Sequence, residues 1–273
     1  MAGSEYDAVT GLLGIGRKSQ HGAAGKNERD VLKITFAVLD NPNSSTEHRE
    51  QALSELVPLT KDGSPEMCEK NVRNMLRCLV QNLEDQEVPV KVAALSALTE
   101  LLKRQPQHFR NYSELTLLKI FGTFKQRERE LSRAAKLCSL EAAAVLPPEE
   151  TVRHLHAVIG ESDEQDVVIT VIEVIFRLIE VHPKIMIVEL LLQAMPLLKK
   201  AYEHNACAVR KAAVFSMVTL HGVVGSELMK PHLASLTRCK MELLKMYIKR
   251  AQGNSSKSAA GSSSSTPSTN IKL

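Results

Sequence analysis

Tryptophan is absent from this 273-residue chain, and aromatic residues of all kinds make up only 4% of it. A core built on aromatic slabs is thereby excluded, whereas stacked helices, which need Leu, Ile, Val, Met and Ala, suit the 44% apolar content. Long hydrophobic runs are also lacking. The most apolar stretch, Ile185 to Leu198, contains Glu189 and Gln193 and falls short of the roughly 20 residues a bilayer span requires, so no membrane insertion is expected. No secretory pattern follows Met1. The five cysteines, Cys68, Cys78, Cys138, Cys207 and Cys239, are odd in number and form no C-x-x-C pair. They read as small, reduced core residues of a cytosolic or nuclear protein rather than a disulfide framework or a zinc site. Charge of one sign is scarce as well: 35 Lys and Arg face 31 Asp and Glu, for a net +4. Residues 237–252 alone hold Arg238, Lys240, Lys245, Lys249 and Arg250 against Glu242, so the surplus is local and nucleic-acid binding is not expected.

Recognisable chemistry is missing too. G-L-L-G-I-G-R-K-S at 11–19 imitates a phosphate loop, but Arg17 is inserted between Gly16 and Lys18, no apolar strand precedes it, and Q-H-G-A-A-G cannot open the helix that would hold a phosphate. His154 and His156 stand two apart and point in different directions on a helix, and His204, His221 and His232 fall on separate elements. The acid groups Glu84/Asp85, Glu149/Glu150 and Glu161/Asp163/Glu164 lie at turns and helix starts, where hydration and the helix dipole account for them. No enzyme, cofactor or metal site is expected.

A repeat is present. V-R-K-A-A-V-F at 209–215 recurs in degraded form as V-K-V-A-A-L at 90–95, L-S-R-A-A-K-L at 131–137 and V-I-T-V-I at 168–172. Aligning Val90, Leu131, Val168 and Val209 gives spacings of 41, 37 and 41. A period near 40 made of two helices marks an all-α, HEAT-type solenoid: small alanines where helices approach closely, basic residues near the turn within each pair. Such arrays bind partners.

The apolar period and the breakers predict about six helix pairs. They are 28–39 with 46–60, 65–83 with 88–104, 108–125 with 128–146, 149–159 with 166–182, 184–203 with 208–224, and a short 227–235 with a basic 237–252. On 166–181 the charged residues Asp166, Glu173, Arg177 and Glu180 share one stripe, which predicts an inner helix covered on both sides. Gly-rich residues 1–27 read as a flexible lead and Ser-rich 253–273 as a disordered tail, leaving 28–252 as the folded array. In the tail, Thr266-Pro267 fits a proline-directed phosphorylation site and Ile271-Lys272-Leu273 a carboxyl end that pairs with a sheet edge.

The last predicted helix carries the candidate site. Arg238, Lys245 and Lys249, with Glu242 among them, line one face; Met241, Leu244 and Ile248 supply a packing face. Leu243, Met246 and Tyr247 are left over, so a docking or homodimer surface of basic stripe plus apolar groups is expected there.

Four strings, L-L-K-R-Q-P-Q-H-F-R-N-Y at 101–112, V-R-K-A-A-V-F at 209–215, K-P-H-L-A-S-L at 230–236 and K-M-E-L-L-K-M-Y-I-K-R-A-Q at 240–252, resemble the C-terminal domain of the CLIP-associating (CLASP/Orbit) family of microtubule plus-end regulators. The resemblance covers 85–252, with weaker likeness over 28–84. It implies a TOG-like HEAT array that recruits cytoplasmic linker proteins, a kinetochore motor, and Golgi or cortical anchoring proteins, and that self-associates. It also implies cytoplasmic and cytoskeletal sites: microtubule plus-ends, spindle, kinetochore, centrosome and Golgi. Upstream TOG domains and basic Ser-x-Ile-Pro segments are not in the chain. Tubulin-binding TOG domains resemble one another in an exposed aromatic in the first turn and basic residues in later ones. Here the first turn is D-N-P-N-S and those at 84–87 and 161–166 are acidic, which would repel tubulin's acidic surface. Arg127 and Arg129 in the third turn, with Arg210 and Lys211 after the fifth, do fit. The residues therefore favour an adaptor domain, with direct tubulin binding as the alternative and the HEAT scaffold of an unrelated enzyme complex as a second alternative.

Overall fold

The computed structural model describes residues 28–41 and 43–258, with side chains to residue 253, and divides them into two compact units between Ser162 and Asp163. The described residues form an all-α array. The first unit holds α1 (Glu28–Asp40), α2 (Thr46–Asp62), α3 (Pro65–Asn82), α4 (Val88–Arg104), α5 (Ser113–Gly122), α6 (Arg129–Val145) and α7 (Pro148–Glu161). The second holds α8 (Gln165–Val181), α9 (Lys184–Tyr202), α10 (Cys207–Val224), α11 (Ser226–Leu233) and α12 (Arg238–Ser258). The division falls inside the fourth expected pair, so α7 closes one unit and α8 opens the next.

Local chemistry fixes where the helices start. Pro65, Pro89 and Pro148 sit in the first two positions of α3, α4 and α7, where the missing N–H has no helical partner to lose. Ser45 caps α2 by accepting from the His48 N–H at 3.3 Å. In the first unit α2, α4 and α6 pack side by side, while α1 rests on α2 and α3, α3 on α4, and α5 on α6 and α7. In the second, α10 lies between α8 and α12, α9 covers α8 and α10, and α11 leans on α9 and α10. The repeat anchors Val90, Leu131, Val168 and Val209 are all buried, as are Ala94, Ala135, Ile172 and Ala213 four residues on. The period therefore repeats one buried position, which within each unit lies on the second helices that pack side by side.

Two boundaries differ from expectation. The helix expected over 108–125 is broken: Pro106–His108 and Arg110–Tyr112 are single 3-10 turns, and Thr123–Lys125 is a third after α5. Phe109 is fully buried, and the chain tightens around it, with Phe109 N donating to Pro106 O at 3.2 Å and Tyr112 N to Phe109 O at 2.9 Å. At the other end α12 runs to Ser258, so the first six residues assigned to the tail are helical. The lead 1–27, Thr266-Pro267 and Ile271-Lys272-Leu273 lie outside the described residues.

Candidate functional site

In the first unit, polar bridges stitch the turns and helix ends at repeat-length spacing. Arg77 Nη2 meets Asp40 at 3.1 Å, Arg49 Nη1 meets Asp85 at 3.3 Å, Lys119 pairs with Glu84, Lys91 Nζ donates to Gln126 Oε1 at 3.0 Å, and Lys125 Nζ meets Glu161 at 3.0 Å. This narrows the electrostatic argument drawn from the sequence. Glu84, Asp85 and Glu161 are acidic turn residues that each hold a cation, whereas Glu87, Asp163 and Asp166 of the same turns stay exposed. Asp85 is also turned inward, accepting from the Glu87 N–H at 2.9 Å. Arg127, on the turn before α6, and Arg129, the first residue of α6, have exposed side chains.

The second unit repeats the device. The His204 ring nitrogen Nε2 lies 3.0 Å from the Asp163 carbonyl, Lys240 pairs with Glu203 and stands 5.2 Å above the Tyr202 ring, and the Tyr202 hydroxyl donates to Lys240 O at 3.2 Å. Burial pushes the Tyr202 phenol above its ordinary value, with the Glu203 charge adding to the effect. Of the two basic residues expected after the fifth turn, Arg210 is spent on the turn itself. Its Nη1 donates to the His204 and Asn205 carbonyls at 2.9 and 2.5 Å, so it holds the α9–α10 connection rather than offering a free charge. Lys211 is exposed, with Nζ 5.9 Å from the Phe215 ring.

On α12 the expected surface separates into two flanks. Arg238, Lys245 and Lys249 are exposed, and Lys245 Nζ is 3.1 Å from Glu242. Leu243 and Met246 are exposed as well, at 42% and 44%; helical spacing sets Leu243 across the helix from the lysines and Met246 one position round from Lys249, on the side away from the groove. Tyr247 is not a free docking group: it is half-buried, edge-on to Phe215 of α10 with ring centroids 5.6 Å apart. What adjoins the lysines is a groove of roughly 560 Å³ between α11 and α12. Met241, Leu244, Lys245, Ile248, Lys249 and Gln252 enter it from α12, at spacings of three, four, seven, eight and eleven from the first. That spacing was legible in the chain. Of the expected packing face, only Leu244 is fully buried, while Met241 and Ile248 are half-covered.

Gly225 sets up this corner. Its φ of 93° and ψ of 167° lie where side-chain-bearing residues rarely go, and the reversal there starts α11 directly after α10. Two cysteines also depart from expectation: Cys207 and Cys239 are exposed, while Cys68, Cys78 and Cys138 are buried. Burial pushes the Cys78 thiol up to about 11 and the Cys138 thiol up to about 12. Among the described residues no group of three or more His, Cys, Asp or Glu side chains is placed to hold a metal ion. Helix α10, Cys207–Val224, is long and apolar enough to cross a membrane by length and composition. In the fold it is a core helix, with Val209, Ala213, Met217 and Leu220 buried among α8, α9 and α12.

Comparison with known proteins places these features. The chain is 36% identical over 237 residues to CLIP-associating protein 1 of Xenopus tropicalis, covering 87% of this chain and 16% of that protein. It is 27% identical over 252 residues to CLIP-associating protein of Drosophila melanogaster, covering 89% and 17% respectively. It therefore spans about one-sixth of the length of these relatives. No family model matches. Among solved structures, the N-terminal domain of MAST/Orbit superposes with a TM-score of 0.60 at 15% identity, over 80% of this chain and 96% of that one. A domain from a study of microtubule plus-end tracking gives 0.61 at 17%, over 81% and 90%. One from a study of TOG–tubulin binding specificity gives 0.56 at 12%, over 90% and 96%. At these identities the structural likeness establishes the fold, an α-solenoid of the TOG and HEAT kind.

Proposed function

We propose, from a homology to the CLIP-associating proteins that runs over most of the chain, that it is a non-catalytic, TOG-like binding module of a microtubule regulator and engages tubulin along its interhelix turns. One observation carries the reading. The turn acids Glu84, Asp85 and Glu161 are each paired with a cation, Lys119, Arg49 and Lys125, and Arg129 at the start of α6 has an exposed side chain. Pairing reduces the repulsion that argued against an acidic partner, and direct tubulin binding moves ahead of the adaptor role. The first turn, Asp40 to Ser44, still carries no aromatic residue, so the contact is weak and leans on charge.

Sedimentation velocity of the chain with αβ-tubulin at about 50 mM and about 200 mM salt tests this, since screening removes most of a surface attraction over that range. The expected result is a complex at the lower salt that disappears in R127E/R129E. Absence of a complex at both salts, with an intact fold, rejects it.

A second reading draws on the groove beside α12: recruitment of cytoplasmic linker proteins, a kinetochore motor, or Golgi and cortical anchoring proteins, with self-association through Leu243 and Met246. The chain is a small share of its relatives' length, so activity at plus-ends, spindle, kinetochore, centrosome or Golgi is part of the same proposal.

A further inference from the structure

We infer that the groove between α11 and α12 docks an acidic, amphipathic helix from a partner protein; the inference deepens the recruitment reading and is independent of the tubulin reading. The floor is apolar: Leu233 from α11 and Met241, Leu244 and Ile248 from α12. From Met241 to Gln252 the exposed wall runs for three turns of helix, about 16 Å, the length over which a docked helix places anchors at i, i+3, i+4 and i+7. Its roughly 560 Å³ lies well inside the range of about 300 to 1,000 Å³ typical of ligand sites.

Charge selects the occupant. Lys230 stands on one rim and Lys245 and Lys249 on the other, with His221 at the end, and the lining holds a single acid, Glu227. Glu242, next to the rim, is engaged with Lys245 at 3.1 Å. A helix carrying carboxylates on its two flanks and aliphatic groups between them meets lysines on both sides and the apolar floor below. The chain's own carboxyl end fails this requirement, because no Asp or Glu follows Glu242 in the sequence. A second copy presenting the same face fails it for the same reason: lysines would meet lysines.

The probe is a synthetic peptide of about 14 residues, or roughly 21 Å of helix, with leucines at i, i+3, i+4 and i+7 and glutamates flanking them. Two controls accompany it, one with lysine in place of every glutamate and one with the acidic composition scrambled. Each is titrated into the full 273-residue chain, labelled at methionine and isoleucine methyl groups. The acidic amphipathic peptide is expected to bind, to shift the Met241 and Ile248 methyl signals, and to weaken with salt. K230E/K245E/K249E, shown to be folded by circular dichroism, is expected to weaken binding at least about tenfold, as reversal of close charge pairs does. Should it fail to fold, Lys249→Gln alone and the salt dependence of the wild-type chain carry the test.

Equal binding of either control overturns the proposal, as does wild-type affinity in a folded triple variant. Displacement of the peptide by tubulin overturns it by making the groove part of the tubulin surface. A large gain in affinity on removing residues 1–27 overturns it by making the occupant the chain's own lead. A chain that ignores the peptide yet captures linker proteins, and loses them on Leu243→Ser with Met246→Ser, rejects the groove and keeps the recruitment reading.

Discussion

Helices α8 and α12 stand in the same unit, both flank α10, and both carry an apolar stripe, yet they end in opposite conditions. On α8 the charged residues Asp166, Glu173, Arg177 and Glu180 keep to one line, and Val167, Val168, Val171, Ile172, Val174, Ile175, Leu178 and Ile179 are all buried. On α12, among the described side chains, Leu244 alone is buried, Met241 and Ile248 are half-covered, and Leu243 and Met246 face solvent. A helix with neighbours on two sides becomes core; one packed mainly on one side keeps part of its apolar surface exposed. The stripe is equally plain in both sequences. Its meaning depends on what stands next to it.

The contrast breaks most sharply under truncation. Ile175→Ala on α8, where the side chain is 1% exposed, should cost about 2 to 5 kcal/mol through lost burial and the cavity left behind. Leu243→Ala on α12 should change stability by no more than about 0.5 kcal/mol. Denaturant midpoints of the two variants check both, and a large loss from Leu243→Ala would mean that this flank is covered after all. Next in size is the corner that aims α11. Gly225→Ala should cost about 1 to 3 kcal/mol, because a Cβ is placed where only glycine is comfortable. Gly222→Ala, three residues earlier on α10 with open space around it, should instead gain about 0.5 to 1 kcal/mol by stiffening a helical position. Opposite signs from two neighbouring glycines would be hard to obtain unless the backbone turns where it is described to turn.

The period was legible because Val90, Leu131, Val168 and Val209 do one job four times, and burial at each is a strong, local demand on residue type. The HEAT-type solenoid follows from it, and the buried apolar face of α8 from its single charged stripe. The 3-10 turns around Phe109 were not legible, since an apolar residue directly after the polar run ending in His108 fits a helix start as well as a buried anchor in a tight turn. The acidic turns were read as bare because one sequence does not show that Arg49 returns to Asp85 or Lys119 to Glu84, each pair joining residues 35 or 36 apart. The site suffered in the same way. Periodicity gives a face, not its cover, so Met241 and Ile248 were assigned to packing, and Tyr247, now found against Phe215, to docking.

Alkaline pH separates the buried thiols from the exposed ones. Cys138 and Cys78 are held protonated by burial, up to about 12 and about 11. In the unfolded chain they ionise near their ordinary value, so above it the unfolded state binds fewer protons than the folded one. The stabilisation is complete below about pH 9 and is lost as pH climbs toward the folded values, at no more than about 1.4 kcal/mol per pH unit per thiol. Cys138→Ala should therefore flatten the fall in denaturant midpoint between about pH 8 and about pH 10. Labelling with a thiol reagent at neutral pH should modify Cys207 and Cys239 quickly and the three buried cysteines only on unfolding.

The smallest effect sits where binding would be decided. Lys249→Glu changes an exposed side chain on the groove rim, with Lys245 four residues before it and Glu242 already engaged by that lysine. On the folded chain alone, losing the Lys245–Lys249 repulsion and gaining an exposed carboxylate beside Lys245 are both small in high dielectric, so the denaturant midpoint should move by less than about 0.5 kcal/mol equivalent. On α8 a charge at a buried position such as Ile172, 2% exposed, would unfold the unit. If Lys249→Glu also proves strongly destabilising, α12 is as much a core helix as α8, the rim is not a rim, and the difference between the two helices collapses.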